Sequence, residues 1–206
     1  MATEVDICNM ALSFLGDRAT LTSIDPPEGS AQAEHCARFY PMALQELLSV
    51  MPWSFATKRS ELAEFSDEIP GTAFAYALPF DCLSIQAVYS KSGRIMNKWT
   101  LERAGVARGI LTDEPISYVR YTSVDVPSSI FSPTFALALA HLLASKLAGS
   151  MVTGSSGQEL AQAQIKLYEL YMNKAKLEDA RQSNESASIR QVFMGDYSDG
   201  NPYGNF

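Results

Sequence analysis

Between Cys36 and Met51 the apolar residues fall at helical spacing. Cys36, Phe39/Tyr40, Ala43/Leu44, Leu47/Leu48 and Met51 form a single stripe, with polar residues on the other side. This predicts a long amphipathic helix with Ser30 as its N-terminal cap and a kink at Pro41, which lies off the stripe. Pro52 stops it, because proline has no N–H and disfavours the helical region for the residue before it. The period then changes, and SFATKRSELA (54–63) reads as a half-exposed strand. Trp53 therefore sits where helix meets sheet. Together with Cys36, Leu47 and Leu48 it is read as structural core.

The same reasoning extends to both sides. Val5, Cys8, Leu12 and Leu15 share one face of a short helix over 4–15, and Gly16 is its stop. Residues 20–27 form a loop around Asp25-Pro26-Pro27. In the middle of the chain, turns are expected at Ile69-Pro70-Gly71 and at Lys91-Ser92-Gly93-Arg94. Leu83, Ile85, Ala87 and Tyr89 alternate with Ser84, Gln86 and Val88, which predicts a strand with one committed face. Weaker strands are expected at 98–102, 109–112 and 116–122.

Ser132 as cap, Pro133 at the first helical position and Gly149 past the end bound another helix. Its body, FALALAHLLASKLA, is apolar nearly all round, so it must be packed on every side. It is too short and too polar at His141, Ser145 and Lys146 for a membrane span. After a flexible link at 149–157, a last helix over 158–181 is expected to turn Leu160, Ala163, Leu167, Leu170/Tyr171 and Leu177 inward. The two would form a helical hairpin.

The predicted architecture is α+β and mainly α. About four helices, drawn from 1–53 and 124–181, form a bundle. A small antiparallel β subdomain (54–123) is inserted between the second and third long helices. An extended tail covers 182–206. The tail has no period and mixes Gly, Asn and Pro with Tyr197, Tyr203 and Phe206, which read either as anchors for a partner or as part of a free tail.

Composition narrows the function. A 206-residue chain with 47% hydrophobic residues can bury a real core as one domain or two small ones. The net charge is −7 and the basic residues form no run, which argues against a nucleic-acid-binding face. The N-terminus has neither a basic region nor a long apolar one, so no secretory signal is expected. Cys8, Cys36 and Cys82 are widely spaced, as expected for reduced, buried cysteines.

Candidate chemistry amounts to near misses. GSMVTGSS (149–156) has glycines at phosphate-loop spacing but carries Ser155 where a lysine is required. His35-Cys36 with Cys8 or Cys82 matches no zinc spacing, and Cys36 lies on the apolar stripe. His141 reads as a hydrogen-bonded core or interface histidine. The acid pairs Glu61/Glu64, Asp67/Glu68 and Asp113/Glu114 leave glycan hydrolysis as an alternative, because that chemistry depends on separation in space. A generic cytosolic interaction module is a further alternative. No catalytic constellation, cofactor or metal site is expected.

Several strings together resemble the tail tubular protein A family of short-tailed bacteriophages, the head-to-tail adaptors. They are Asn9-Met10-Ala11-Leu12 with Leu15-Gly16; Cys36 and Tyr40 before Leu47-Leu48; Pro52-Trp53-Ser54-Phe55-Ala56 with Arg59 and Leu62-Ala63; Tyr76, Leu78-Pro79 and Asp81-Cys82-Leu83; Tyr121; and Phe131, Pro133 and Phe135 leading into Ala138-Leu139-Ala140 and Leu147-Ala148. The resemblance covers about residues 4–181; Pro41 departs from the pattern.

The resemblance implies a virion structural protein rather than an enzyme. It would form a ring, typically a dodecamer, between the portal protein and a tail nozzle like tail tubular protein B. DNA would pass through the lumen without specific binding, which an acidic wall suits. Ring contacts are expected on the apolar helix at Phe135, Leu139, Leu142 and Leu143, with Tyr197, Tyr203 and Phe206 reaching an adjoining protein.

Overall fold

The computed structural model describes residues 2–18, 20–65, 71–104, 107–152 and 154–182. Four helices frame two small sheets. They are α1 (Glu4–Phe14), α2 (Ala31–Ser49), α3 (Pro133–Met151) and α4 (Ser155–Gln182). Between α2 and α3 lie β1 (Thr57–Ser60), β2 (Phe74–Ala77), β3 (Cys82–Ser90), β4 (Thr100–Ala104), β5 (Ala107–Thr112) and β6 (Ile116–Ser123). The protein is thus a mainly helical α+β fold with the sheets between the second and third helices, as the sequence predicts.

Local chemistry fixes the helix ends. Thr3 caps α1 reciprocally with Asp6: the Asp6 N–H donates to the threonine hydroxyl, and the Asp6 carboxylate accepts from the Thr3 N–H. Gly16, at φ +81°, ends the helix in a conformation that other residues avoid. Ser30 and Ser132 cap α2 and α3 by accepting from the N–H groups of Ala33 and Phe135. α2 runs through Pro41, which is solvent-exposed. It ends at Ser49, three residues before Pro52.

Two boundaries differ from expectation. α3 continues past Gly149 to Met151, because the N–H of Val152 still reaches the Ala148 carbonyl at 2.9 Å. The residue that turns the chain is Gly154, at φ +79°. The strand expected over 54–63 is shorter: Ser54–Ala56 make one tight 3₁₀ turn before β1. Most of the Ile69-Pro70-Gly71 turn lies outside the described residues; Gly71 itself has φ +88°.

The sheets are antiparallel, in the orders β1-β6-β3 and β2-β5-β4. They share one small core of Tyr76, Val88, Ile110, Ile116, Val119 and Tyr121. The Tyr76 hydroxyl ties them together by accepting from the Ile116 N–H at 3.3 Å. β3 does not keep the single committed face that alternation predicted. Val88 is fully buried, while Leu83, Ile85 and Tyr89 are only partly so. The register against β6 shifts at three places, between Cys82 and Ser84, between Ile85 and Ala87 and between Tyr89 and Ser90, and these bulges interrupt strict alternation.

The larger core belongs to the helices. α3 runs through its centre and packs against α1, α2 and, along most of its length, α4. By length and composition α3 could cross a membrane, but 61% of its apolar window is buried within the protein, as befits a core helix.

Candidate functional site

Trp53 organises the junction between bundle and sheets. Its side chain is 1% exposed, and its indole N–H donates to the Leu47 carbonyl at 2.9 Å, one turn back in α2. The ring meets Phe135 edge-on at 5.0 Å, and Phe55 and Phe131 complete an aromatic cluster. Cys36, Leu47 and Leu48 are buried in the same core. All four residues read from sequence as core are interior.

The strands after Trp53 are held by a polar knot at Asp81. Its carboxylate lies at the foot of β3 and is 5% exposed. It accepts from the Lys58 ammonium (2.8 Å), the Ser123 hydroxyl (2.7 Å) and the Tyr121 hydroxyl (3.0 Å). Lys58 lies on β1 and the other two on β6, so a single side chain clamps the first sheet. Burial alone would push the Asp81 carboxyl up. The Lys58 charge and the hydroxyl donors outweigh burial and hold it below the usual carboxylate range. Burial, with the bond to Asp81, pushes Tyr121 up to about 12. A carboxylate engaged on every side, with Ser123 wholly buried, is arranged as a lock rather than as an acid or base awaiting substrate.

Directly before it, Phe80 is 99% exposed on a turn closed by the Cys82 N–H on the Pro79 carbonyl. The described acids of the candidate hydrolytic pairs, Glu61/Glu64 and Asp113/Glu114, are all solvent-exposed. Asp67 and Glu68 lie outside the described residues.

Two of the three cysteines of the candidate metal set, Cys8 and Cys36, come together. Cys8 and Cys36 are fully buried where α1 meets α2 and share a hydrogen bond, which with burial pushes the Cys8 thiol up. Cys82 belongs to the sheet core. Among the described residues no three His, Cys, Asp or Glu side chains are grouped to hold a metal. In the glycine-rich stretch, Gly157 has a packing role. A Cβ there would stand 2.4 Å from the Val152 carbonyl oxygen, so only glycine lets the first turn of α4 close on the end of α3.

His141 is the hydrogen-bonded core histidine that its surroundings in sequence suggest. Nδ1 lies 2.7 Å from Gln164 Oε1, and the ring stacks on Phe14 (4.2 Å) and Tyr171 (5.2 Å). Gln164 also donates to the Phe14 carbonyl at 3.4 Å, joining α1, α3 and α4 through one polar contact.

The expected contact surface requires correction. Phe135, Leu139, Leu142 and Leu143 are 0, 0, 1 and 0% exposed, so they belong to the chain's own core and offer nothing to a second copy. The reason is that α1, α2 and α4 of the same chain already surround α3. Tyr197, Tyr203 and Phe206 lie outside the described residues.

The inward face of α4 is also different. Gly157, Gln164, Met172, Ala175 and Asp179 are buried; Leu167, Leu170 and Leu177 stand 39, 49 and 62% exposed, with Ile165 at 38% and Ala163 also outside. Only Leu160 and Tyr171 of the expected face pack against the core, and they do so partly. The helix is turned by one residue, about 100°. Polar partners favour this face. Gln164 meets His141, and Asp179 accepts from the Ser54 N–H (3.1 Å) and hydroxyl (2.6 Å) across the bundle. The sequence signal for this was present in two polar residues spaced to follow the small residues Gly157 and Ala175. Leucines at helical spacing mask it.

Compared with known proteins, the chain matches no family model, and no curated protein matches it.

Proposed function

We propose that this protein is a head-to-tail adaptor of a short-tailed bacteriophage, a ring-forming structural protein through whose lumen DNA passes. One observation carries the reading: two of the strings that carry the resemblance occupy the two structural joints. Pro52-Trp53-Ser54-Phe55-Ala56 builds the aromatic hinge between bundle and sheets, and Leu78-Pro79 with Asp81-Cys82-Leu83 builds the Asp81 lock. Residues of such strings are expected at positions the fold depends on.

Two further features support it. The described acids of the candidate hydrolytic pairs are solvated, and the net charge of −7 suits a wall along which DNA slides without adhering. Self-association into a closed ring needs a heterologous contact between two different patches. With α3 interior, those patches come from elsewhere on the surface, the outer face of α4 and the Phe80 turn being the most apolar candidates. The partners in this reading are copies of the chain, the portal above and the nozzle below. The protein is assembled in the host cytoplasm and carried in the virion tail.

The test is assembly on the portal. Mixing purified protein with its portal ring and imaging the complexes by electron microscopy should give closed rings of about twelve copies docked on the portal. Virions made without this chain should lose their genome and lack complete tails. Particles that keep both would overturn the proposal.

A further inference from the structure

The outer face of α4 is both apolar and basic. Leu167, Leu170 and Leu177 stand exposed along it, with Ile165 at its edge. From Ile165 to Gln182 the exposed charges are Lys166, Glu169, Lys174 and Arg181, three positive and one negative, in a protein of net charge −7. Another α4 is a poor cover for such a face, because it would set cations against cations. A surface that suits it brings carboxylates and some apolar area.

The other end of the same chain has that character. Among the described residues before Met51, the exposed carboxylates are those of Glu4, Asp6, Asp25, Glu28, Glu34 and Glu46, against only two exposed arginines, Arg18 and Arg38. They stand on α1, on the loop that follows it and on α2. Gln32 ties these parts together by donating to the Asp17 carboxylate at 3.2 Å. The same region leaves Met42 and Val50 exposed. It thus offers carboxylates to the α4 cations and apolar side chains to the α4 leucines. In one chain α1, α2 and α4 all pack on α3 and turn their outer faces away from it. The two complementary surfaces therefore look in different directions, and they meet only between copies.

We propose that the outer face of α4 in one copy docks on the acidic surface of α1 and α2 in the next. Its leucines lie against Met42 and Val50, and Lys166, Lys174 and Arg181 lie among the carboxylates. The contact joins two different patches, so every pair still has one of each free, and the contact repeats from copy to copy until the rotation closes a ring. Opposite charges set the register and orientation of the two surfaces, while the leucines supply the apolar burial. The inference rests on the ring reading and names the contact that the ring uses.

The test is a charge swap in the full-length protein, mixed with its portal ring. Electron microscopy counts the fraction of portals that carry a closed ring. Lys166→Glu, Lys174→Glu and Arg181→Glu together should lower that fraction at least about ten-fold, and so should Glu4→Lys, Asp25→Lys and Glu34→Lys together. All of these changes in one chain reverse both surfaces at once and should restore the fraction to within about two-fold of the parent, which a misfolded variant would not do. In rings built from equal parts of isotope-labelled and unlabelled parent chain, a carbodiimide should join Lys166 or Lys174 to one of these carboxylates across two chains, seen as mixed-isotope peptide pairs. Parent-like assembly by either reversed surface alone, no restoration in the combined variant, or cross-links confined to single chains would overturn the proposal and leave the ring reading standing. A parent protein that forms no ring on the portal would overturn both.

Discussion

α3 and α4 are consecutive helices joined by a short link, both rich in leucine and alanine, yet they meet opposite fates. Leu139, Leu142, Leu143 and Leu147 of α3 are interior, whereas Leu167, Leu170 and Leu177 of α4 face outward. Hydrophobicity alone does not account for the difference. α3 has neighbours on three sides, so any rotation about its axis buries leucine. α4 has one partner helix and must choose a face, and the chosen face carries Gln164 and Asp179. Leaving those two buried groups unpaired would cost about 1–3 kcal/mol each, comparable to what burial of an additional leucine returns. Where a helix can choose, satisfied polar contacts compete with grease on equal terms.

The sharpest way to break this comparison is at the interior end. Trp53→Ala removes the indole that rests on Phe135 and its hydrogen bond to Leu47. It should cost about 3–5 kcal/mol in denaturant unfolding; a loss under 1 kcal/mol would show that the helical core does not depend on this joint. Gly157→Ala comes next. The new methyl collides with the Val152 carbonyl, so the variant should lose about 1–3 kcal/mol even though alanine favours helix. A stabilised variant would mean that α4 does not close on α3 as described.

Asp179→Leu tests the choice of face directly. It exchanges a polar anchor for a residue of the outer type and should cost about 0.5–1.5 kcal/mol through the lost Ser54 bonds. If it instead stabilises the protein, polar partners do not set the rotation of α4.

The sheets offer a pH readout. Asp81 is held below the usual carboxylate range in the folded protein, so its contribution is fully present above about pH 4 and is lost as pH falls through its depressed value. Acid unfolding of Asp81→Asn, followed by circular dichroism, should show a shallower loss of stability below pH 4 than the parent protein. Parallel curves would remove Asp81 as the lock. The smallest effect belongs to the outer face of α4. Leu170→Ser should change stability by less than about 0.5 kcal/mol, since Leu170 is exposed. A larger loss would place Leu170 in the core.

What the sequence determined by itself is local. Ser30, Ser132, Gly16 and Gly93 act within a few residues of themselves, so caps, stops and turns, and through them the order of helices and strands, are legible from neighbours alone. The stripe from Cys36 to Leu48 was equally legible, because its leucines have no polar competitor on the same face. Tertiary structure decided the rest. Whether Leu139 meets solvent or α4 depends on helices packed from distant parts of the chain. The face of α4 depends on His141, 23 residues from Gln164, and on Ser54, 125 residues from Asp179. The faces of β3 depend on register shifts against β6. Periodicity reports which positions share a side; which side is buried is fixed by partners that only the folded chain brings within reach.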